Sequence, residues 1–154
     1  MNGTSPDFRA EARASRANPE AHFADLTGLR ALVTGASSGI GRAIALELAQ
    51  GGADVTIHCR ESREAAEEVA FACRRLGREA DVVVADLADH EQRSAFVPQT
   101  WPEGAGYDIW VNNAGADLLT GDHAHEDYTQ KLDRLMHIDL LGTMVLSQIG
   151  RAHV

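Results

Sequence analysis

Thr34-Gly35-Ala36-Ser37-Ser38-Gly39-Ile40-Gly41 sets three glycines and two adjacent hydroxyls within one short stretch. That spacing suits a phosphate. Gly35 permits a tight turn, Gly39 lets backbone approach a pyrophosphate, and Gly41 lets a following helix pack closely on the preceding strand. Ser37 and Ser38 add donors, and a helix opening at Ile40 turns unpaired N–H groups and a positive dipole end toward the anion. Three glycines alone are a weak signal. Their weight comes from lying between an apolar run, Arg30–Thr34, and a helical pattern.

The elements that position this turn read off in order. Arg30-Ala31-Leu32-Val33-Thr34 is a buried parallel strand in a body starting at Leu29. Ile40, Ile44 and Leu48 mark a helix that Gly51-Gly52 stops. Asp54–Cys59 is the second strand, and Ser62 opens a helix with Ala66, Val69, Cys73 and Leu76 on its apolar face. Asp81–Ala85 is strand three. Asp89 with Gln92 forms a capping box for a helix expected to end before Pro98. Tyr107–Asn112 is strand four, and a long helix starts near Glu126. Alternating strands and helices give an α/β class with a parallel sheet.

Cofactor discrimination falls to the end of the second strand. Asp54 lies at about the customary 20 residues from the first glycine, but it begins its strand, away from the carboxyl edge. Cys59 holds the strand end and cannot grip a ribose diol as a carboxylate does. Arg60 beside it offers a planar fork of donors to a 2′-phosphate, which favours NADP(H) over NAD(H). His123 and His125 read as loop residues with no further ligand cluster, so no metal is expected. Cys59 and Cys73 read as packing residues.

Composition narrows the partners. The 154 residues carry a net charge of −9, which disfavours nucleic acid and anionic membranes. With 44% hydrophobic and 24% charged residues the chain reads as one globular domain. Two cysteines are too few for a disulfide scaffold, and no secretory leader is visible, so a cytoplasmic setting is expected.

The chain resembles the short-chain dehydrogenase/reductase family, whose first fingerprint is T-G-x-x-x-G-x-G. Ala85-Asp86-Leu87 looks like the family's acidic position beside the adenine ring. Asn112-Asn113-Ala114-Gly115 matches N-N-A-G, which supports the sheet and lines the cofactor ribose. The resemblance implies a Rossmann-type sheet of order 3-2-1-4. It implies cofactor contacts from Gly35, Ser37, Ser38, Gly39, Ile40, Gly41, Arg60, Asp86, Leu87, Asn113, Ala114 and Gly115. It further implies carbonyl/alcohol hydride transfer, nearest the 3-oxoacyl-acyl-carrier-protein reductase group. A small-molecule or acyl-carrier substrate and a homo-oligomeric parent follow from the same likeness.

The family's Tyr-x-x-x-Lys pair is missing. Lys131 is the only lysine and stands three residues after Tyr128, not four. Asp139 stands where the family's helix Asn stands. It is expected to share an apolar face with Leu135, Met136, Gly142 and Thr143, buried without a partner. The domain reading is a flexible extension over 1–28, a partial NAD(P)-binding domain over 29–147, and a non-native tail over 148–154. That tail resembles translated sequencing adapter. On this reading the chain is a truncated, inactive reductase. The rival is a non-catalytic dinucleotide-binding or scaffold module.

Overall fold

A computed structural model describes residues 25–101, 106–118 and 124–148. The elements are β1 (Arg30–Val33), α1 (Gly39–Gln50), β2 (Asp54–Cys59), α2 (Arg63–Arg75), β3 (Ala80–Val84), α3 (His90–Thr100) and β4 (Ile109–Val111). They are followed by α4 (Tyr128–Leu135), a π-helical segment (Met136–Gly142) and α5 (Thr143–Leu146). The sheet has four parallel strands in the order β3-β2-β1-β4, as expected.

Two cores cover the sheet. On one face Ala31, Val33, Val55 and Ile57 meet Ala45 and Ala49 of α1 and Ala66, Val69, Ala70 and Cys73 of α2. On the other, Leu32 packs with Ala85, Leu87, Phe96 of α3 and Leu146 of α5. An aromatic row runs along that second face, with Phe96 6.1 Å from Trp110 and Trp110 5.5 Å from Tyr107. The strands are therefore apolar on both sides, as their continuous runs require.

Several local readings change. The stripe of α1 that faces the sheet is Gly41, Ala45 and Ala49, one residue round from Ile40, Ile44 and Leu48. Small residues win because the helix start lies against the glycine turn, and Ile40 is left 75% exposed. In α2 Ala70 is buried and Leu76 is not.

Pro98 does not end α3. It lies inside the last turn, where the Thr100 hydroxyl donates to the Phe96 carbonyl at 2.8 Å and Trp101 N–H bonds Val97 O at 2.9 Å. Asp89 caps α3 as expected, but Gln92 accepts from the Asp86 N–H instead of closing the box. The body also begins earlier than Leu29. Leu26 N–H bonds Gly51 O at 2.8 Å and its side chain packs on the first core.

Asp139 is not buried. The buried stripe of the last helical stretch runs through Ile138, Gly142 and Leu146, and Asp139 is exposed one residue away. Residues 1–24, His123 and 149–154 lie outside the described residues. Among those described, no helix is long and apolar enough to cross a membrane.

Candidate dinucleotide-binding site

The carboxyl ends of the strands border a cleft of about 340 Å³. Its walls are Gly35, Ser37 and Ser38 from the first turn, Cys59 and Arg60 from β2, Leu87 after β3, and Asn113, Ala114 and Gly115 after β4. Eight of the residues expected to touch cofactor thus meet in one place: Gly35, Ser37, Ser38, Arg60, Leu87, Asn113, Ala114 and Gly115. Gly39, Ile40 and Gly41 form the first turn of α1 rather than the cleft wall. Asp86 sits beside Leu87 with its carboxylate accepting from Ala88 N–H at 2.9 Å. Asp139 lies off the cleft and accepts from Ala116 N–H at 3.0 Å.

The glycines divide the work as their geometry demands. Gly35 has φ +64°, and a Cβ there would sit 2.9 Å from Ala114 Cα. A Cβ on Gly41 would overlap Gly35 O and the Asn113 amide. Gly39 has φ +55° but open space where a Cβ would point, so its requirement is conformational and its surroundings stay accessible.

Thr34 locks this corner. Its hydroxyl accepts from the N–H groups of Asn113 and Ala114, both at 2.9 Å, and donates to Val111 O at 3.3 Å. The Asn113 side chain returns two bonds, to Thr34 O at 3.0 Å and Gly35 O at 3.2 Å. A hydroxyl with one proton and two lone pairs is thereby fully used in a place 1% exposed. The turn and the N-N-A-G loop are one rigid unit.

Three residues that sequence reasoning passed over also shape the site. Buried His58 lines the cleft between the glycine turn and the end of β3, and burial holds its imidazole below the ordinary value. Arg93 is 4% exposed and donates to Leu87 O at 2.7 Å and Ala88 O at 3.1 Å. Arg134 of α4 reaches the cleft wall while paired with Glu126 at 2.7 Å, a bond that raises its pKa further. Only the polar residues inside otherwise apolar runs hinted at the first. The other two sit on helices whose placement depends on tertiary packing.

Arg60 pairs with Glu61, and both side chains remain well exposed at the cleft. Burial pushes the Cys59 and Cys73 thiols upward, consistent with packing roles. Lys131 donates to Ala124 O at 2.8 Å and lies on α4 beside Tyr128, whose side is open to water.

Residues 30–153 match the family model for short chain dehydrogenases. The short-chain dehydrogenase/reductase FrzI of Cladobotryum sp. is 40% identical over 126 residues, covering 80% of this chain and 47% of that protein. The 3-oxoacyl-[acyl-carrier-protein] reductase FabG of Aggregatibacter actinomycetemcomitans is 42% identical over 113 residues, covering 72% of this chain and 45% of that protein. A short chain dehydrogenase from Burkholderia cenocepacia J2315, solved in complex with NADP, superposes with a TM-score of 0.72 at 38% identity. That match covers 84% of this chain and 52% of the solved one. The chain spans about half the length of these relatives. Sheet order, glycine turn and N-N-A-G loop agree with the sequence match: the chain belongs to the short-chain dehydrogenase family of oxidoreductases.

Proposed function

We propose that this chain is the dinucleotide-binding portion of an NADP(H)-dependent reductase acting on a ketone, of the ketoacyl-reductase kind, and that the 154 residues alone bind cofactor without turnover. The observation that carries the reading is the Thr34–Asn113 lock beside a helix start whose amides are left free. The first intrahelical bond of α1 is Arg42 N–H to Ser38 O, and the Ser38 side chain caps nothing. The amides of Gly39, Ile40 and Gly41 therefore precede the ladder and can meet an anion.

The residues present fit a nicotinamide dinucleotide. Ser37, Ser38 and the α1 amides would hold the pyrophosphate, Leu87 and Ile138 would flank the adenine, and Asn113–Gly115 would line a ribose. Arg60 would exchange Glu61 for a 2′-phosphate, whose higher charge makes it the stronger acceptor. Several similar solved structures carry NADP or NADPH, which agrees with that preference. The chemistry supplied there is a hydride delivered to a carbonyl carbon.

Proton delivery is a different matter. Tyr107 lies at the opposite, amino-terminal edge of the sheet, donating to Thr100 O at 2.9 Å and bonded to Thr56 at 3.0 Å. Tyr128 is 80% exposed, and Lys131 is bound to a carbonyl. Neither tyrosine is paired with a lysine, so the chain holds no activated phenol for the carbonyl oxygen. A second reading, a non-catalytic dinucleotide-binding or scaffold module whose full gene product also lacks turnover, shares this observation. The two are separated by assaying an acyl thioester ketone with NADPH on the chain and on any longer product of the same gene.

Fluorescence titration with NADPH and NADH tests the cofactor reading. Arg60→Ala is expected to weaken NADPH by about tenfold and to leave NADH nearly unchanged, since one charge-assisted bond is lost. Equal losses for both would remove Arg60 from 2′-phosphate recognition.

A further inference from the structure

His58 is 2% exposed, near the end of β2, with one ring nitrogen on each side of the cleft floor. Nδ1 lies 3.1 Å from the Gly35 nitrogen, and a backbone N–H only donates. Nδ1 must therefore be bare. Nε2 lies 2.9 Å from Ala85 O, which only accepts, so Nε2 carries the proton. One neutral tautomer satisfies both neighbours, and neither the other tautomer nor the cation does.

We propose that His58 is a positioning residue for the dinucleotide: as the Nε2–H imidazole it ties the pyrophosphate turn at Gly35 to the adenine loop at Ala85–Leu87, and protonation releases the turn. The inference rests on the dinucleotide reading above and adds a pH dependence to it.

The surroundings support a tie rather than a packing residue. Gly35 is held at φ +64° and its amide finds its partner in the ring, while the next amide, Ala36 N–H, bonds the His58 carbonyl at 2.8 Å. Removing the imidazole thus frees the Gly35 amide and leaves a second tether in place. The far end is equally braced, by Arg93 on the Leu87 and Ala88 carbonyls and by Gln92 on Asp86 N–H. His58 links two rigid pieces.

The cleft that His58 lines also carries Arg60, Glu61, Asp117 and Arg134, with Arg60 paired to Glu61 and Arg134 to Glu126, and the groups that act on the ring itself are fewer. The glycine turn contributes none at Gly35 or Ala36. The end of β3 contributes Asp86, which favours the cation, and α3 contributes the Phe96 ring at 4.9 Å, with its cation Arg93 engaged on carbonyls. The neighbouring Cys59 thiol stays neutral. Burial outweighs Asp86 and the Ala85 bond and holds the ring below the ordinary value.

The sign follows. A histidine depressed in the folded state contributes its stability in full above about pH 6.5, and that contribution is lost as pH falls from there through the lower folded value. As pH passes through that lower folded value, Nδ1 gains a proton and faces the Gly35 N–H donor to donor.

The test uses the 154-residue chain and NADH, which avoids the 2′-phosphate that itself titrates near about pH 6. Wild type is expected to lose about tenfold in NADH affinity as pH falls through the range, below about pH 6.5, in which the His58 ring itself titrates. His58→Asn retains an acceptor for Gly35 N–H but does not titrate, so its affinity should be flat over the same range. ¹⁵N spectra of the cofactor-free chain should show a protonated Nε2 and a bare Nδ1 at neutral pH.

Equal pH slopes in the two chains, or a protonated Nδ1, would overturn the proposal. Absence of NADH and NADPH binding at every pH would overturn the dinucleotide reading and this one with it. Should His58→Asn not fold, wild type decides alone. The midpoint of NADH weakening must then coincide with titration of the His58 ring nitrogens, and a mismatch overturns the proposal.

Discussion

The glycine-turn corner and the last helical stretch, Tyr128–Leu146, are built on opposite principles. At the corner, polar groups are inside and satisfied: Thr34 and His58 sit at 1% and 2% exposure, each bridging separate strands. Among the described residues no buried side-chain nitrogen or oxygen lacks a partner. Along the helix, apolar groups are outside, with Leu132, Met136, Leu140 and Met144 all exposed. What holds its start is local: Asp127 and Gln130 close a full capping box, and Arg134 grips Glu126. The corner is held by buried tertiary hydrogen bonds, whereas the helix adds to its buried Ile138, Gly142 and Leu146 stripe only exposed ones, such as Asp139 with Ala116. The corner is therefore closed by its own partners among the described residues, whereas the neighbouring helix presents an exposed apolar face.

The sharpest way to break the comparison is to fill the corner. Gly41→Val would drive a side chain into Gly35 O and the Asn113 amide, neither of which can move without breaking the Thr34 lock. A stability loss of about 3 kcal/mol and loss of NADPH binding are expected in chemical denaturation and titration. If Gly41→Val is tolerated, the corner is softer than its hydrogen bonds imply.

Next in size is the lock itself. Thr34→Val keeps the shape but strands the N–H groups of Asn113 and Ala114, for an expected cost of about 2–4 kcal/mol. Thr34→Ser keeps the hydroxyl and should recover most of it, to within about 1 kcal/mol. Urea midpoints of the three chains measure the difference. A Val variant as stable as the Ser variant would mean that water replaces the hydroxyl, and the corner is not closed.

On the helix the same logic predicts the reverse. Met136→Gln with Met144→Gln changes exposed side chains and should move stability by no more than about 0.5 kcal/mol. It should lower self-association, because the apolar face it interrupts is open to water. Sedimentation velocity of both chains checks this, and unchanged association would place the sticky surface elsewhere.

The two regions also differed in how far the sequence revealed them. The strand runs, their order and the glycine turn were legible because apolar periodicity and backbone-demanding glycines are local signals. The facing of α1 was off by one residue, because Ile40 looks like core by type, while the close approach at Gly41 selects small residues. Pro98 reads as a stop, yet the helix continues two residues past it to Thr100, whose hydroxyl bonds the Phe96 carbonyl in that last turn. His58 and Arg93 were not legible as site residues, since their partners are backbone atoms of segments 23 and 6 residues away.

Asp139 is where α-helical spacing misled most. Counted at three and four residues, it shares a face with Leu135, Met136 and Gly142, and that count made it a buried, partnerless carboxylate. The chain instead runs as π-helix over Met136–Gly142, with Ile138, Gly142 and Leu146 turned inward. Asp139 faces water and accepts the Ala116 N–H at 3.0 Å, tying the segment after the N-N-A-G loop to the helix. Its bond is exposed, so water competes for both partners when the side chain is cut back. Asp139→Ala should therefore cost only about 0.5–1 kcal/mol, and Asp139→Asn, which keeps a carbonyl oxygen, no more than about 0.5 kcal/mol. The local signature is the better measurement: the Ala116 amide should exchange faster with solvent in the Ala variant and nearly as in wild type in the Asn variant. A loss above about 2 kcal/mol in the Asn variant would mean that the negative charge, rather than the oxygen, is what the fold uses there. That outcome would move Asp139 from the loosely held helix into the tightly coupled corner.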